Sequence, residues 1–310
     1  MASAARLEPT MNDEATSPMV SSSNLRTQRT LLCPVCGVPT LHRSCIRKNG
    51  CEVLACSACG VGRADTTNFD PAAYYTDAYF EGRQADGYAD YAGSEAVLRR
   101  EFKATVEHLS RFVPRGRLLE IGCAYGFFLL EARRRFDVSG IEIAESAVRF
   151  CHGRGLAGVR HGVLDEETVR DLPSMDAIVL LDVIEHLADP NEAFRLLASK
   201  LKQKGALLLT TGDWSSVVAR VTGPHWRLMT PPQHLFYFTP KSLRILGERH
   251  GLATVKIGRP WKSVPLSLIL YQLGRMLGRR ASSYSQSHLL SSIGIRLNLF
   301  DTMRVVYRKS

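Results

Sequence analysis

The residues best suited to chemistry fall into three groups. Cys33-Pro-Val-Cys36 and Cys56-Ser-Ala-Cys59 are two C-x-x-C knuckles separated by 19 residues, each followed by glycine. Four thiolates on two tight turns suit tetrahedral zinc, and so closed a set makes the ion structural, not catalytic. Cys45, Cys51 and His42 lie between the knuckles, where one could replace a ligand or all could simply pack. The second group is Glu120-Ile-Gly122-Cys123-Ala124-Tyr-Gly126, with Glu142 about 20 residues past its first glycine. Such a loop brings backbone N–H groups close to a ligand, and the later carboxylate can accept both hydroxyls of a ribose. The third group is Asp182, Glu185 and His186, with His234 further on. A histidine here has the pKa range of a general base, and Glu185 and His234 stand beside it as catalytic candidates.

These groups need elements to position them. Leu118 to Ile121 reads as a buried strand, and Phe127-Phe-Leu-Leu-Glu-Ala as the helix after the glycine turn. Phe136 to Glu142 is a second strand, and a helix is expected from near Ala144 to Phe150. Met175 to Asp182 is the strongest apolar run, Asn191 to Lys202 is amphipathic, and Ala206 to Thr210 is a fifth strand. Thr239 before Pro240 predicts a helix cap, and Ser94 to Phe112 a helix ahead of the first strand. Strands alternating with helices predict an α/β fold, Rossmann-like and doubly wound, with a seven-stranded sheet behind a small zinc ribbon.

Composition bounds the rest. The chain has 310 residues, 45% hydrophobic and 23% charged, enough for one large domain and a small one. No run of about 18 apolar residues predicts a spanning helix. The expected organisation is a disordered tail over 1–30, a ribbon over 31–64, an aromatic segment over 65–93 and the large domain over 94–310. The first 30 residues lack the pattern of a secretion signal, so a cytoplasmic location is expected, with peripheral membrane attachment at most. The aromatic segment is either a lid touching substrate through Tyr75 and Tyr79 or a packing bridge between domains. From Lys241 to Ser310 there are 13 Lys+Arg against 2 Asp+Glu. Within that region an inserted basic amphipathic stretch, about 262–292, could lie on an anionic membrane, form a homodimer face, cover substrate or face a phosphate.

The glycine loop does not fit the dinucleotide pattern G-x-G-x-x-G. It resembles motif I of class I S-adenosylmethionine (SAM)-dependent methyltransferases, (D/E)-x-G-x-G-x-G, with Ala124 in place of the middle glycine. The segment Asp182-Val-Ile-Glu185-His186-Leu-Ala-Asp-Pro190 is similar to E-x-x-E-H-x-x-(D)-P in the same group, and Gln233 to Pro240 matches a further shared segment. The resemblance covers roughly residues 70 to 309. It implies SAM bound by Glu120, Gly122, Cys123, Ala124, Gly126, Glu142, Ile143, Leu164, Asp165 and Asp182, the adenine falling to the Leu164 backbone and the Asp165 carboxylate. In quinone O-methyltransferases, which the chain resembles, matching acidic and histidine positions are associated with a divalent ion; Asp182 stands where those enzymes have Glu. A ribbon ahead of such a domain resembles sugar C-methyltransferases, which implies a small-molecule acceptor such as a nucleotide-linked or lipid-linked sugar. An RNA methyltransferase is the alternative suggested by net charge +10 and the zinc module, although the basic residues lie at the opposite end of the chain from the ribbon. A non-catalytic SAM-binding scaffold is a third reading.

Overall fold

The computed structural model describes residues 28–66, 74, 91–270 and 288–310. The tail over 1–27, Tyr75, Tyr79 and the middle of the basic insertion lie outside the described residues. The first unit is a run of short antiparallel strands, β1 (Gln28–Leu32), β2 (Pro39–Lys48), β3 (Cys51–Cys56) and β4 (Gly62–Asp65). A fifth strand completes its sheet: β10 (Phe236–Tyr237), from the second half of the chain, pairs antiparallel with β4, Phe236 opposite Arg63 and Tyr237 opposite Gly62. The ribbon is therefore built jointly with the large domain.

The large domain follows the expected alternation. Its elements are α1 (Glu95–Leu109), β5 (Gly116–Ile121), α2 (Phe127–Ala132), β6 (Phe136–Glu142), α3 (Glu145–Gly153), β7 (Val159–His161), α4 (Glu166–Arg170), β8 (Met175–Leu181), α5 (Pro190–Lys200), β9 (Leu201–Gly212), α6 (Val217–Thr222), α7 (Pro240–Arg249), β11 (Leu252–Gly258) and β14 (Thr302–Lys309). The seven-stranded sheet runs β11-β14-β9-β8-β5-β6-β7, with β14 antiparallel to both neighbours and β5 to β9 parallel. The order reverses between β5 and β8, the kind of switch point at whose C-terminal strand edge open α/β sheets bind ligands. The fifth strand is longer than its apolar run: it starts at Leu201 and carries the Lys202-Gln-Lys-Gly turn within it, Lys204 adopting φ +62°.

Side-chain alternation distributes two cores over the two faces. Leu119, Ile178, Leu180, Leu207, Leu209 and Val305 face α5 and α7, while Leu118, Ala177, Val179, Leu208 and Val306 face α1 and α2. Each fully buried Leu, Val or Phe contributes about 1.5–3 kcal/mol. Cys33, Val35, Cys56, Cys59 and Val61 belong to the first of these cores, so the ribbon shares hydrophobic packing with the sheet. Helix ends are set locally. Asp189 accepts from the Asn191 and Glu192 amides ahead of α5, and Thr239 forms a capping box with Ser242 at α7, as Thr239-Pro240 predicts. The basic insertion contains β12 (Lys262–Pro265), α8 (His288–Ser292) and β13 (Gly294–Leu297); β12 and β13 pair antiparallel beside α1. Among the described residues no helix is long and apolar enough to cross a membrane.

Candidate active site and metal cluster

The glycine loop sits between the end of β5 and the start of α2. Gly122 has φ +68°, and a Cβ there would lie 2.7 Å from a Val183 methyl; Gly126 has φ +69°, and its Cβ would lie 2.5 Å from Leu156. Both positions exclude a side chain on two counts. Ala124, in place of the middle glycine, also has positive φ, +46°, a region that costs an L-residue about 1–2 kcal/mol. Gly126→Ala is expected to destabilise the fold by about 1–3 kcal/mol, whereas Ala124→Gly is expected to be neutral or stabilising. Thermal unfolding of the two variants checks this, and a loss of similar size in both would contradict it.

Glu142 closes the loop from the next strand. Its Oε2 accepts from the Ala124 amide at 2.8 Å and its Oε1 from the Ala144 amide at 2.9 Å. Burial raises its pKa, and those two bonds with one from the Ile143 amide oppose the rise. Each carboxylate oxygen keeps a second lone pair that could take a ribose hydroxyl. Glu120 is buried at 3% exposure, and its Oε2 has no hydrogen-bond partner among the described residues. Burial holds that carboxyl well above the ordinary range. A buried carboxylate oxygen left open beside a glycine loop fits the ammonium of a SAM-like ligand. The Ile143 carbonyl accepts from His161 Nε2 at 2.9 Å, fixing the rim of the same edge.

Three of the residues expected to contact a ligand also have side chains with structural roles. The Cys123 side chain is buried in the core against Gly140 and Cys151, so only its backbone faces the loop. Asp165 is the N-cap of α4: its Oδ1 accepts from the Thr168 amide at 2.8 Å, which lowers its pKa. Leu164 packs against the sheet core. Short-range capping chemistry thus accounts for an acid whose place in sequence suggests a ligand.

A second group of candidates follows β8. Asp182 has φ +57°; its Oδ1 accepts from Thr210 Oγ1 at 2.9 Å and its Oδ2 from Lys262 Nζ at 2.6 Å. Burial acts to raise its pKa, but the Lys262 ammonium, the Thr210 hydroxyl and the Arg227 charge together hold the carboxyl below its usual value. Lys262 also pairs with Glu101 Oε1 at 3.3 Å, so it fastens the β12–β13 hairpin to both α1 and the strand edge. Lys262, Thr210 and Glu101 carried no motif in the sequence; the only hint was a lone cation at the start of an apolar insertion.

Glu185, His186 and His234 converge, one donor atom of each lying within 4.8 Å of the others. The two rings meet edge to face with centroids 4.7 Å apart. His186 Nδ1 lies 2.9 Å from the Gln233 carbonyl and His234 Nδ1 lies 2.7 Å from the Leu228 carbonyl. A carbonyl only accepts, so both Nδ1 atoms carry the proton and both Nε2 atoms carry the lone pair. Burial keeps the imidazoles neutral, lowering His186 to about 4 and His234 to about 3. Glu185 is pushed up by burial and by the Asp182 charge. Tyr74, next to the Tyr75 expected of a lid, donates to Gln233 Oε1 at 2.8 Å, linking the aromatic segment to the residue that orients His186.

The four knuckle cysteines come together as their spacing predicts. Their sulfurs lie within 4.8 Å of one another, Cys33 to Cys59 at 3.7 Å and Cys36 to Cys56 at 3.9 Å. The Cys36 and Val61 amides point at Cys33 and Cys59 sulfurs. The set fits zinc, and Cys45, Cys51 and His42 stand outside it. This cluster is next to the catalytic candidates. The Ala64 amide donates to the Leu235 carbonyl, and the Leu235 amide donates to the Glu185 carbonyl at 2.8 Å.

Residues 94–257 match the family described as "Methyltransferase domain". A ubiquinone biosynthesis O-methyltransferase of Alkalilimnicola ehrlichii is 30% identical over 102 residues, 31% of this chain and 41% of that protein. One from Xanthomonas axonopodis pv. citri is 30% identical over 136 residues, 41% of this chain and 56% of that protein. The chain spans about half the length of these relatives. A solved SAM dependent methyltransferase from Archaeoglobus fulgidus superposes with TM-score 0.47 at 20% identity, covering 68% of this chain and 94% of that one. With more than half its length matched, the chain belongs to the methyltransferase-domain family of SAM-dependent enzymes.

Proposed function

We propose that the protein transfers the methyl group of SAM to an oxygen or an α-carbon of a small sugar- or glycan-related acceptor. The acceptor loses its proton at the Glu185–His186–His234 cluster. The observation that carries this reading is the cluster itself: two imidazole rings and the Glu185 carboxyl group converge at the end of β8, one donor atom of each within 4.8 Å of the others. Methyl transfer from a sulfonium needs a nucleophile held in line with the methyl, and a hydroxyl or a carbon α to a ketone becomes one only on deprotonation. The methyl then passes to that atom, and S-adenosylhomocysteine (SAH) leaves. A nucleotide-linked sugar is supported by the four-cysteine unit ahead of the methyltransferase fold and by the basic C-terminal region. A quinone-type phenol is the second reading, favoured by the ubiquinone O-methyltransferases among the relatives.

His186→Ala is expected to lower turnover about 10²- to 10⁴-fold with SAH affinity unchanged within experimental error. The experiment pairs calorimetric titration of SAH and NAD with a labelled-methyl screen of nucleotide-linked keto-sugars, lipid-linked sugars and quinols. Binding of NAD in preference to SAH would overturn the family-based reading. Label in quinols alone would select the second acceptor class, and His186→Ala at full turnover would remove the cluster from the chemistry.

A further inference from the structure

The resemblance to quinone O-methyltransferases places a divalent ion on Asp182, Glu185 and His186, but that set does not fit this structure. Both Asp182 oxygens are engaged, Oδ1 by Thr210 and Oδ2 by Lys262 at 2.6 Å. An ammonium fixed there would oppose a cation at the same carboxylate. We propose instead that Glu185, His186 and His234 form a metal site of their own, taking a divalent first-row transition ion, separate from the four-cysteine cluster. The proposal rests on the reading that this cluster handles the acceptor's proton.

Four observations carry it. One donor atom from each residue lies within 4.8 Å of the others, a spacing that a single ion can bridge. Glu185 is 4% exposed, and its Oε2 is buried without a hydrogen-bond partner among the described residues. A buried carboxylate oxygen in that position calls for a cation or a proton. Both histidines have the second contact that metal-bound imidazoles commonly have, Nδ1–H donated to a backbone carbonyl, Gln233 for His186 and Leu228 for His234. Finally, the three residues are held by separate parts of the backbone: Glu185 and His186 lie on the short turn Ile184–His186, and His234 lies on the segment that β4 of the ribbon fixes through β10.

Two imidazoles and one carboxylate select the metal. Magnesium prefers an oxygen set with several waters, whereas nitrogen-rich sites suit Zn²⁺, Fe²⁺, Co²⁺ or Mn²⁺. Three protein ligands leave coordination positions open, unlike the closed thiolate site. An ion held there would lower the pKa of an acceptor oxygen bound to it, so that its proton leaves to solvent near neutral pH. His234 lies outside the Asp182–Pro190 segment, 48 positions beyond His186.

The test is metal stoichiometry on the full chain, stripped of metal and titrated with Co²⁺ while optical spectra are recorded. Two equivalents are expected per chain. One should show the intense thiolate-to-metal bands of a four-sulfur site, and the other the weaker ligand-field bands of a nitrogen and oxygen site. His234→Gln and Glu185→Gln should each lose the second equivalent and keep the first, with the thiolate bands confirming that the ribbon remains folded. Millimolar Mg²⁺ should fail to displace the second ion. A single equivalent in the wild-type chain would overturn the proposal, as would a second equivalent that persists in both variants or yields to Mg²⁺. SAH binding is measured alongside. SAH binding with only one Co²⁺ equivalent would sink the metal site and leave the methyltransferase reading standing, while two equivalents without SAH binding would do the reverse.

Discussion

Glu142→Ala is expected to weaken SAM and SAH binding by at least about 100-fold. Two ribose hydroxyls donating to an ionised carboxylate contribute about 1.5–3 kcal/mol each, so their joint loss corresponds to about 10²- to 10⁴-fold. A second effect adds to the first. Glu142 accepts the Ala124 and Ala144 amides at 2.8 and 2.9 Å, and its removal leaves both N–H groups without that acceptor. The glycine loop then loses its brace as well as its ribose ligand. Glu142→Gln should fall between wild type and Ala, because the amide oxygen serves one N–H while its NH₂ group opposes the other. Burial raises the Glu142 pKa above the ordinary carboxylate value, so the ionised form is lost at a higher pH than usual on acidification. Wild-type affinity should therefore begin to fall above the pH at which an exposed glutamate titrates. Calorimetry of SAH against both variants and across descending pH checks each part; unchanged affinity in Glu142→Ala removes the ribose assignment.

The parts of this architecture that were legible in the sequence share one property: their signal is local. Leu118 to Gly126 reads as strand, turn and helix because apolar run, glycine and amphipathic pattern follow one another directly, and Phe136 to Glu142 repeats the logic. The two C-x-x-C knuckles bring four sulfurs together because each pair is fixed by its own turn. Thr239-Pro240 gave the start of α7 from two residues. The features that escaped are those made by distant segments. Lys262 reaches Asp182 across 80 positions, so a carboxylate read as a ligand is already paired. Phe236–Tyr237 is too short to stand out as a strand, yet it completes the ribbon sheet. His234 meets Glu185 and His186 because the next residue, Leu235, bonds the Glu185 carbonyl, a contact between segments some 50 positions apart that spacing does not reveal. Cys123 illustrates a different limit: backbone and side chain of one loop residue point in opposite directions, and motif spacing does not distinguish them.

The pairing of ribbon and large domain ties the four-cysteine site to the candidate catalytic cluster, and its loss should be felt there. Cys56→Ser is expected to release the metal and to reduce methyl transfer at least about 100-fold, while SAH affinity changes little. The energies set the direction. Zinc binding to small four-ligand units is worth about 10–16 kcal/mol, and a ribbon of this size has too small a core to fold without it. Besides the shared hydrophobic packing, it is held against the large domain by side-chain donors on ribbon carbonyls, worth about 1 kcal/mol net when neutral and about 1.5–3 kcal/mol when charged. They include Trp214 Nε1 to the Gly60 carbonyl at 3.0 Å, Lys241 Nζ to Ala58 at 2.6 Å and Arg249 to the Pro34 and Val35 carbonyls. Once the knuckles open, those acceptors are no longer positioned and β10 loses its only partner among the described strands. The disturbance then has a short path inward: the Ala64 amide bonds the Leu235 carbonyl, the Leu235 amide bonds the Glu185 carbonyl, and His234 precedes Leu235. Gly122 and Glu142 lie on β5, β6 and their turn, braced by bonds that do not involve the ribbon. Hydrogen exchange reads this without knowledge of the acceptor. In Cys56→Ser the Ala64 and Leu235 amides should lose protection while those of β5 and β6 keep theirs, and zinc returned to chelated wild-type protein should restore both protection and turnover. A metal-free variant with protected Leu235 and full turnover would make the ribbon an independent module whose role lies away from the methyl-transfer site.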